Sequence, residues 1–225
     1  MNSQLSLLLR AAAFLLCGVL VLGLLLFLPA GTLHYPGAQR LLALLFVPMF
    51  LMGVVLYIKA PALLEKRLQS KEKEATQRGV IGASALMFLA AFVLAGLDFR
   101  FGWTQIPAGL SAAAGVLFLL GYAMYAEVMR ENAYLSRTIE VQENQTVVST
   151  GLYGVVRHPM YAATILMFLA MPLVLGSLLA FAVMLIYLPL IAARIRNEEA
   201  VLTEGLNGYA AYKQKVRFRL FPYIW

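Results

Sequence analysis

Long apolar stretches separated by short polar ones dominate the chain. Ala11–Pro29, Leu41–Ile58, Val80–Leu97 and Leu110–Ala126 each come close to the ~20 residues an α-helix needs to cross about 30 Å of hydrocarbon. A fifth region, Met160–Ala193, runs 34 residues without one charge. Gly176-Ser177 sits near its middle, and Pro172 and Pro189 would both interrupt a single long tilted helix. The pattern therefore predicts a tight helical hairpin, Met160–Leu175 and Ser177–Ala193, and six spans in all. Arg10 ahead of the first run resembles the start of a secretory signal. The run is nearer 19 residues than the ~7–15 of a signal core, and no clear cleavage site follows, so it is read as a helix.

Charge placement orients these spans. Sixteen of the 18 Lys and Arg fall before span one, between spans two and three, between four and five, or after span six; only Arg40 and Arg100 lie on the other side. By the positive-inside rule both termini are cytoplasmic. The expectation is an all-α, multi-pass integral membrane protein of one domain, 1–225, with four N-terminal spans over 11–126 and a cytoplasmic helical tail after the hairpin. Composition agrees: 62% of residues are hydrophobic and 13% charged, against about 25% charged in a soluble domain. The net charge of +7 reflects topology and anionic headgroups rather than nucleic acid. One cysteine and two histidines exclude a disulfide framework and make a metal site unexpected.

Most side chains able to do chemistry fall on the cytoplasmic side. Ala60–Gly79 alternates charges at helical spacing and reads as a solvated juxtamembrane helix. In Glu131–Gly151, Thr138–Val141 alternates and Thr146–Val148 is β-branched, so the segment should be extended and turn at Asn144-Gln145. It is either a plain connector, the simpler reading, or one wall of a pocket at the membrane surface. Pro159 suits the first turn of span five. Arg157, His158 and Tyr161 would each pass alone as interfacial residues, but together they converge on one helix N-terminus, which favours anions. After span six, Arg194 with Glu198 and Arg196 with Glu199 form i,i+4 and i,i+3 pairs. Two adjacent carboxylates at the bilayer surface are costly there without a cationic partner. The tail Gly208–Pro222 reads as an aromatic and basic strip suited to lying on the membrane.

Taken in order, Gly151, Tyr153, Arg157-His158-Pro159, Tyr161, then Arg194-Ile195, Glu198-Glu199 and Leu202, then Gly208, Tyr209, Tyr212 and Val216 resemble the isoprenylcysteine carboxyl methyltransferase family, with related patterns in phospholipid N-methyltransferases. The chain departs from that pattern at Leu152, Gly154 and Ala163. The resemblance implies a membrane-embedded S-adenosylmethionine-dependent methyltransferase releasing S-adenosylhomocysteine. Its cofactor and catalytic region would span 146–222, and its lipid-like or prenylated acceptor would enter sideways from the bilayer. Carried over residue by residue, it implies that Tyr153, Arg157, His158, Pro159, Tyr161, Glu198 and Glu199 bind the cofactor, and that Arg194 and Glu198 act in catalysis, Arg194 facing the acceptor.

The residue chemistry is compatible. A donor with a sulfonium cation and an amino-acid end calls for the anionic and hydrogen-bonding groups that Glu198, Glu199, His158 and Arg157 supply. A carboxylate acceptor, favoured here, needs no general base; a lipid amine does, and His158 or a Glu would serve. The acceptor route is expected between span four and the hairpin. An NADPH-dependent membrane reductase of the sterol-reductase type has broadly similar elements, but it calls for cationic phosphate ligands where this chain has two adjacent acids.

Overall fold

A computed structural model describes residues 3–68, 75–135 and 141–225. Every regular element among them is helical. They are α1 (Ser3–Ala30), α2 (Pro36–Lys59), α3 (Pro61–Leu68), α4 (Ala75–Phe101), α5 (Ala108–Glu131), a 3₁₀ turn at Gly151–Gly154, α6 (Pro159–Leu175), α7 (Leu178–Met184), α8 (Tyr187–Gly205) and α9 (Tyr209–Lys215). Five stretches are long and apolar enough to cross a membrane: Gln4–Ala30, Pro36–Lys59, Arg78–Phe101, Ala108–Glu131 and Leu178–Gly205. The remaining apolar helix, Pro159–Leu175, has 17 residues and falls short of that length. Outward faces are apolar: Leu16, Leu20, Leu24 and Leu28, one stripe of α1, are 62–75% exposed. Such a surface suits lipid, not water.

The long apolar region breaks where the sequence carries its turn signal. Gly176 takes φ 89°, a left-handed conformation that favours glycine. Its N–H bonds the Leu173 carbonyl and the Ser177 N–H bonds that of Pro172, the paired closure of a helix C-terminus. Ser177 then caps α7, its hydroxyl accepting from the Ala180 N–H at 3.1 Å. A second interruption separates α7 from α8. Pro189 has no N–H to continue the ladder, and the backbone tightens to i,i+3 bonds at Ile186 and Leu188.

Helices α5 and α6 pack against each other. Gly121 permits the approach: a Cβ there would lie 2.8 Å from Met167 Cγ and 3.1 Å from the Ala163 carbonyl. The main core collects Leu26, Leu41, Phe118, Met184 and Ile195, all fully buried.

Two segments differ from the sequence expectation. Ala60–Gly79 is not wholly solvated. The chain breaks at Ala60, α3 buries Leu63 and Leu64, and α4 has begun by Ala75; residues 69–74 lie outside the described residues. The tail is not a strip spread on the membrane either. Tyr209, Tyr212 and Val216 are buried together against Val141, Val147 and Leu202, because burying that aromatic area over the site is worth more than leaving it at an interface.

Candidate active site

Pro159 occupies the first turn of α6, and its Cδ keeps the preceding residue, the N-cap His158, out of the helical region (φ −126°, ψ 60°). The cap makes no side-chain hydrogen bond. The tail instead fixes the backbone just ahead of the helix: the Arg157 and His158 N–H groups donate to the Phe218 and Arg219 carbonyls at 2.9 and 2.8 Å. Both side chains turn toward α8.

There they meet Glu199, which is 3% exposed. Its Oε1 accepts from Arg157 Nε at 2.7 Å and contacts His158 Nε2 at 3.3 Å; its Oε2 accepts from Arg219 Nε and Nη2 at 3.0 and 2.9 Å. Arg157 also donates through Nη1 to the Val216 and Arg217 carbonyls at 2.7 and 2.8 Å. A buried carboxylate is tolerable only with such a set of donors. Glu199 thus joins α8, the residues ahead of α6, and the tail.

Glu198, one residue earlier, points elsewhere, since successive helical side chains are about 100° apart. Its Oε2 accepts from the Tyr161 hydroxyl at 2.5 Å, and that hydroxyl accepts from Arg194 Nε at 2.9 Å. The Arg194 guanidinium also lies 5.9 Å from the centre of the Tyr161 ring. A cation, a phenol and a carboxylate are therefore linked in one chain.

A cavity of about 100 Å³, open at one side, lies against these groups. Six predicted residues line it: Tyr153, Arg157, His158, Tyr161, Arg194 and Glu198. Pro159 and Glu199 do not. Pro159 is buried in the α6 turn, and Glu199 stands behind Arg157 and His158. Three wall tyrosines outside the membrane helices are held as neutral phenols. Burial raises Tyr153, and burial followed by the charges of Glu199 and Glu198 raises Tyr209. Burial also pushes Tyr212 up to about 12, partly offset by Arg157.

Gln145, Thr146 and Val148 form the facing wall. The segment read as a plain connector is therefore a pocket wall. It turns over Gln142–Gln145, one residue earlier than expected, with Asn144 in the left-handed region at φ 56°. Thr146–Val148 is non-helical as predicted; Thr138–Glu140 lies outside the described residues. Cations of α3 hold this wall: Lys66 Nζ donates to Gln142 Oε1 at 2.6 Å, Gln142 Nε2 donates to the Tyr134 carbonyl at 2.5 Å, and Arg67 bonds the Tyr125 hydroxyl. Asn132, just past α5, donates to the Tyr153 hydroxyl at 2.9 Å. The sequence offered no signal for Asn132 or Tyr134 beyond their place after a span.

A second space, an apolar cleft of about 300 Å³, opens between α4, α6 and α8. It shares Tyr161 and Arg194 with the first cavity. Its third wall is α4; α5, whose Gly121 allows a close approach, packs against α6 instead. Arg194 is the one Lys, Arg, Asp or Glu lining it among the described residues. No group of three or more His, Cys, Asp or Glu that could hold a metal occurs among those residues.

Residues 110–207 match the sequence model of the phospholipid methyltransferase family. That stretch runs from α5 to the end of α8 and contains every predicted site residue. No curated protein matches the chain. Among solved structures, the fold is similar to that of the eukaryotic intramembrane Ras methyltransferase, isoprenylcysteine carboxyl methyltransferase. The match has 21% identity and a TM-score of 0.55, covering 95% of this chain and 75% of that one. The family resemblance carried by Gly151–Val216 is borne out by these two findings.

Proposed function

We propose that this chain is an S-adenosylmethionine-dependent methyltransferase acting on a lipid-like acceptor, a carboxylate in preference to a lipid amine. The observation that carries the reading is the meeting of a polar cavity and an apolar cleft at Tyr161 and Arg194. Two ligands of opposite solubility would touch there and nowhere else.

The chemistry that bound cofactor supplies is an electrophilic methyl carbon on a sulfonium, leaving S-adenosylhomocysteine. The donor set suits such a ligand: a carboxylate on the wall, two cations and several neutral phenols. Glu198 is the group for its cationic part, while Arg157, His158 and Tyr153 serve its polar remainder. Pro159 and Glu199 hold Arg157 and His158 in position rather than touching ligand. Arg194 orients the acceptor head, and its partner Tyr161 separates cleft from cavity and excludes water from the reacting atoms. A carboxylate arrives with its own negative charge, so no side chain has to take a proton. An amine would need His158 or Glu198 as base.

The absence of any acid from the described lining of the cleft supports the carboxylate reading. With the 17-residue α6 counted as a sixth, short span, the distribution of Lys and Arg argues for both termini and the cavity on the cytoplasmic side. The catalytic region is then 146–222, extended upstream by Asn132 and Tyr134, within a single domain of 1–225. The phospholipid methyltransferase match does not favour the NADPH-dependent reductase.

Calorimetry on purified protein tests the class: S-adenosylhomocysteine should bind and NADPH should not. The reverse pattern would overturn the proposal. Reporter fusions after residues 79, 150 and 225 should read cytoplasmic, and those after 37, 105 and 176 the opposite side; a cytoplasmic signal at 105 would sink the six-span arrangement.

A further inference from the structure

The apolar cleft has two unlike ends. On α6 its wall is Tyr161, Thr164 and Phe168; on α8 it is Arg194, Ile191 and Tyr187; on α4 it runs from Ile81 past Ser84 and Ala85 to Phe88. Each set repeats every three or four residues, so each is one helix face. Seven residues separate Tyr161 from Phe168, Arg194 from Tyr187 and Ile81 from Phe88, which at 1.5 Å per residue is about 10 Å. Tyr161 and Arg194 mark one end on α6 and α8, with Ile81 at the matching end of α4, and an aromatic ring is at the other end of all three faces.

Those rings meet. Phe168 stands edge-on to Phe88 with centroids 4.9 Å apart, and against Tyr187 at 5.0 Å and 68°. Phe88 also stacks on Phe92 at 5.8 Å. Tyr187 is buried, and its hydroxyl is tied to Thr164 Oγ1 at 2.8 Å. Phe168 is wedged between two rings, so this end yields far less than one closed by flexible aliphatic side chains. One leaflet of a bilayer has about 15 Å of hydrocarbon, half of the ~30 Å core. A tail reaching the midplane is thus longer than the straight cleft.

We propose that Phe88, Phe168 and Tyr187 form a floor that sets how much of the acceptor's hydrocarbon tail is bound. This rests on the methyl-transfer reading above and deepens it by naming what selects the acceptor. The head lies at Tyr161 and Arg194, and the tail runs down the cleft to the rings. Methylenes beyond the floor stay in lipid and add nothing to binding. Apparent affinity therefore rises with tail length and then levels.

The test uses full-length protein in nanodiscs with a series of N-acetyl-S-alkylcysteines of graded alkyl length, following S-adenosylhomocysteine formed and KM against length. Phe88→Ala lowers the floor; Ala85→Phe raises an obstacle halfway down, at an exposed position that accepts added volume. Phe88→Ala should move the levelling point to longer tails and raise the long-to-short kcat/KM ratio about tenfold, equivalent to about 1.4 kcal/mol. Ala85→Phe should move both the other way. S-adenosylhomocysteine affinity, measured by calorimetry, should stay at the wild-type value in both. If Phe88→Ala does not fold, Phe88→Leu replaces it. A levelling point unchanged in the folded variants, with cofactor affinity intact, overturns the floor. Wild-type protein that binds S-adenosylhomocysteine yet turns over no member of the series also overturns it, while leaving the cofactor reading standing. No S-adenosylhomocysteine binding at all overturns that reading first.

Discussion

Two buried carboxylates lie at opposite ends of α6, about 25 Å apart along its 17 residues at 1.5 Å each. Asp98, 1% exposed, accepts from the Thr104 N–H at 2.7 Å, the Thr104 hydroxyl at 2.5 Å and the Ser177 hydroxyl. These donors are all neutral. They tie the loop after α4 to the turn after α6, and Asp98 lines neither cavity. Glu199, equally buried, takes two guanidiniums and an imidazole, and two of those three groups continue onto a cavity wall. Burial and hydrogen bonding alone therefore do not mark a site. What separates the two carboxylates is whether their partners have a second face turned toward empty space.

Breaking each carboxylate should expose that difference. Glu199→Ala strands the buried Arg157 and leaves His158 unheld, a loss of about 3–5 kcal/mol; thermal unfolding in detergent should drop sharply, and the folded fraction should lose S-adenosylhomocysteine binding. Asp98→Ala leaves three donors unmatched, at about 1–3 kcal/mol. It should lower thermal stability but leave cofactor affinity at the wild-type value. Equal loss of affinity in both variants would erase the distinction drawn here.

The neighbouring acids sharpen it further. Glu198→Gln keeps the side-chain shape and removes a charge-assisted contact of about 1.5–3 kcal/mol. Calorimetry should show S-adenosylhomocysteine bound about ten- to a hundredfold more weakly, with the unfolding temperature little changed. An unfolding temperature reduced as far as in Glu199→Ala would mean that Glu198 is structural too. The smallest effect is expected at Tyr209, whose buried hydroxyl has no hydrogen-bond partner among the described residues. Deleting an unmatched buried polar group costs nothing and relieves desolvation, so Tyr209→Phe should unfold at or slightly above the wild-type temperature in the absence of ligand. A clear drop would reveal a partner for that hydroxyl.

Much of the fold was legible because apolar length is a one-dimensional property. The runs over 11–29, 41–58, 80–97 and 110–126 each became the middle of a longer helix, and Gly176-Ser177 broke the fifth region where its backbone demand is greatest. The candidate site residues around Arg157 and Glu198 were legible for a different reason: each group is a run of a few residues, so sequence proximity is also spatial proximity. What the sequence left open depended on rotation and on distant partners. Adjacent Glu198 and Glu199 look alike on paper, yet the helical step turns one to the cavity and the other to the tail. Arg219, Lys66 and Asn132 matter through residues 20, 76 and 21 positions away, separations that no local pattern encodes. The tail misled because its buried tyrosines and exposed lysines fit a membrane surface as readily as they fit Val141 and Val147.

The wall shared by cavity and cleft has a consequence for how such a protein is assayed. On the proposed reading, Tyr161 and Arg194, which line both spaces, stand between one filled from water and one filled from lipid. The two ligands are then counted in different units: the cofactor by moles per litre, the acceptor by its fraction of the bilayer. Diluting a vesicle suspension with buffer at constant cofactor concentration should leave turnover per protein unchanged, because the acceptor around each molecule stays as crowded as before. Diluting the acceptor with inert phospholipid should slow turnover, although the acceptor's concentration in the tube is the same. Kinetics on this chain would then be two-dimensional on one side of a pair of side chains and three-dimensional on the other.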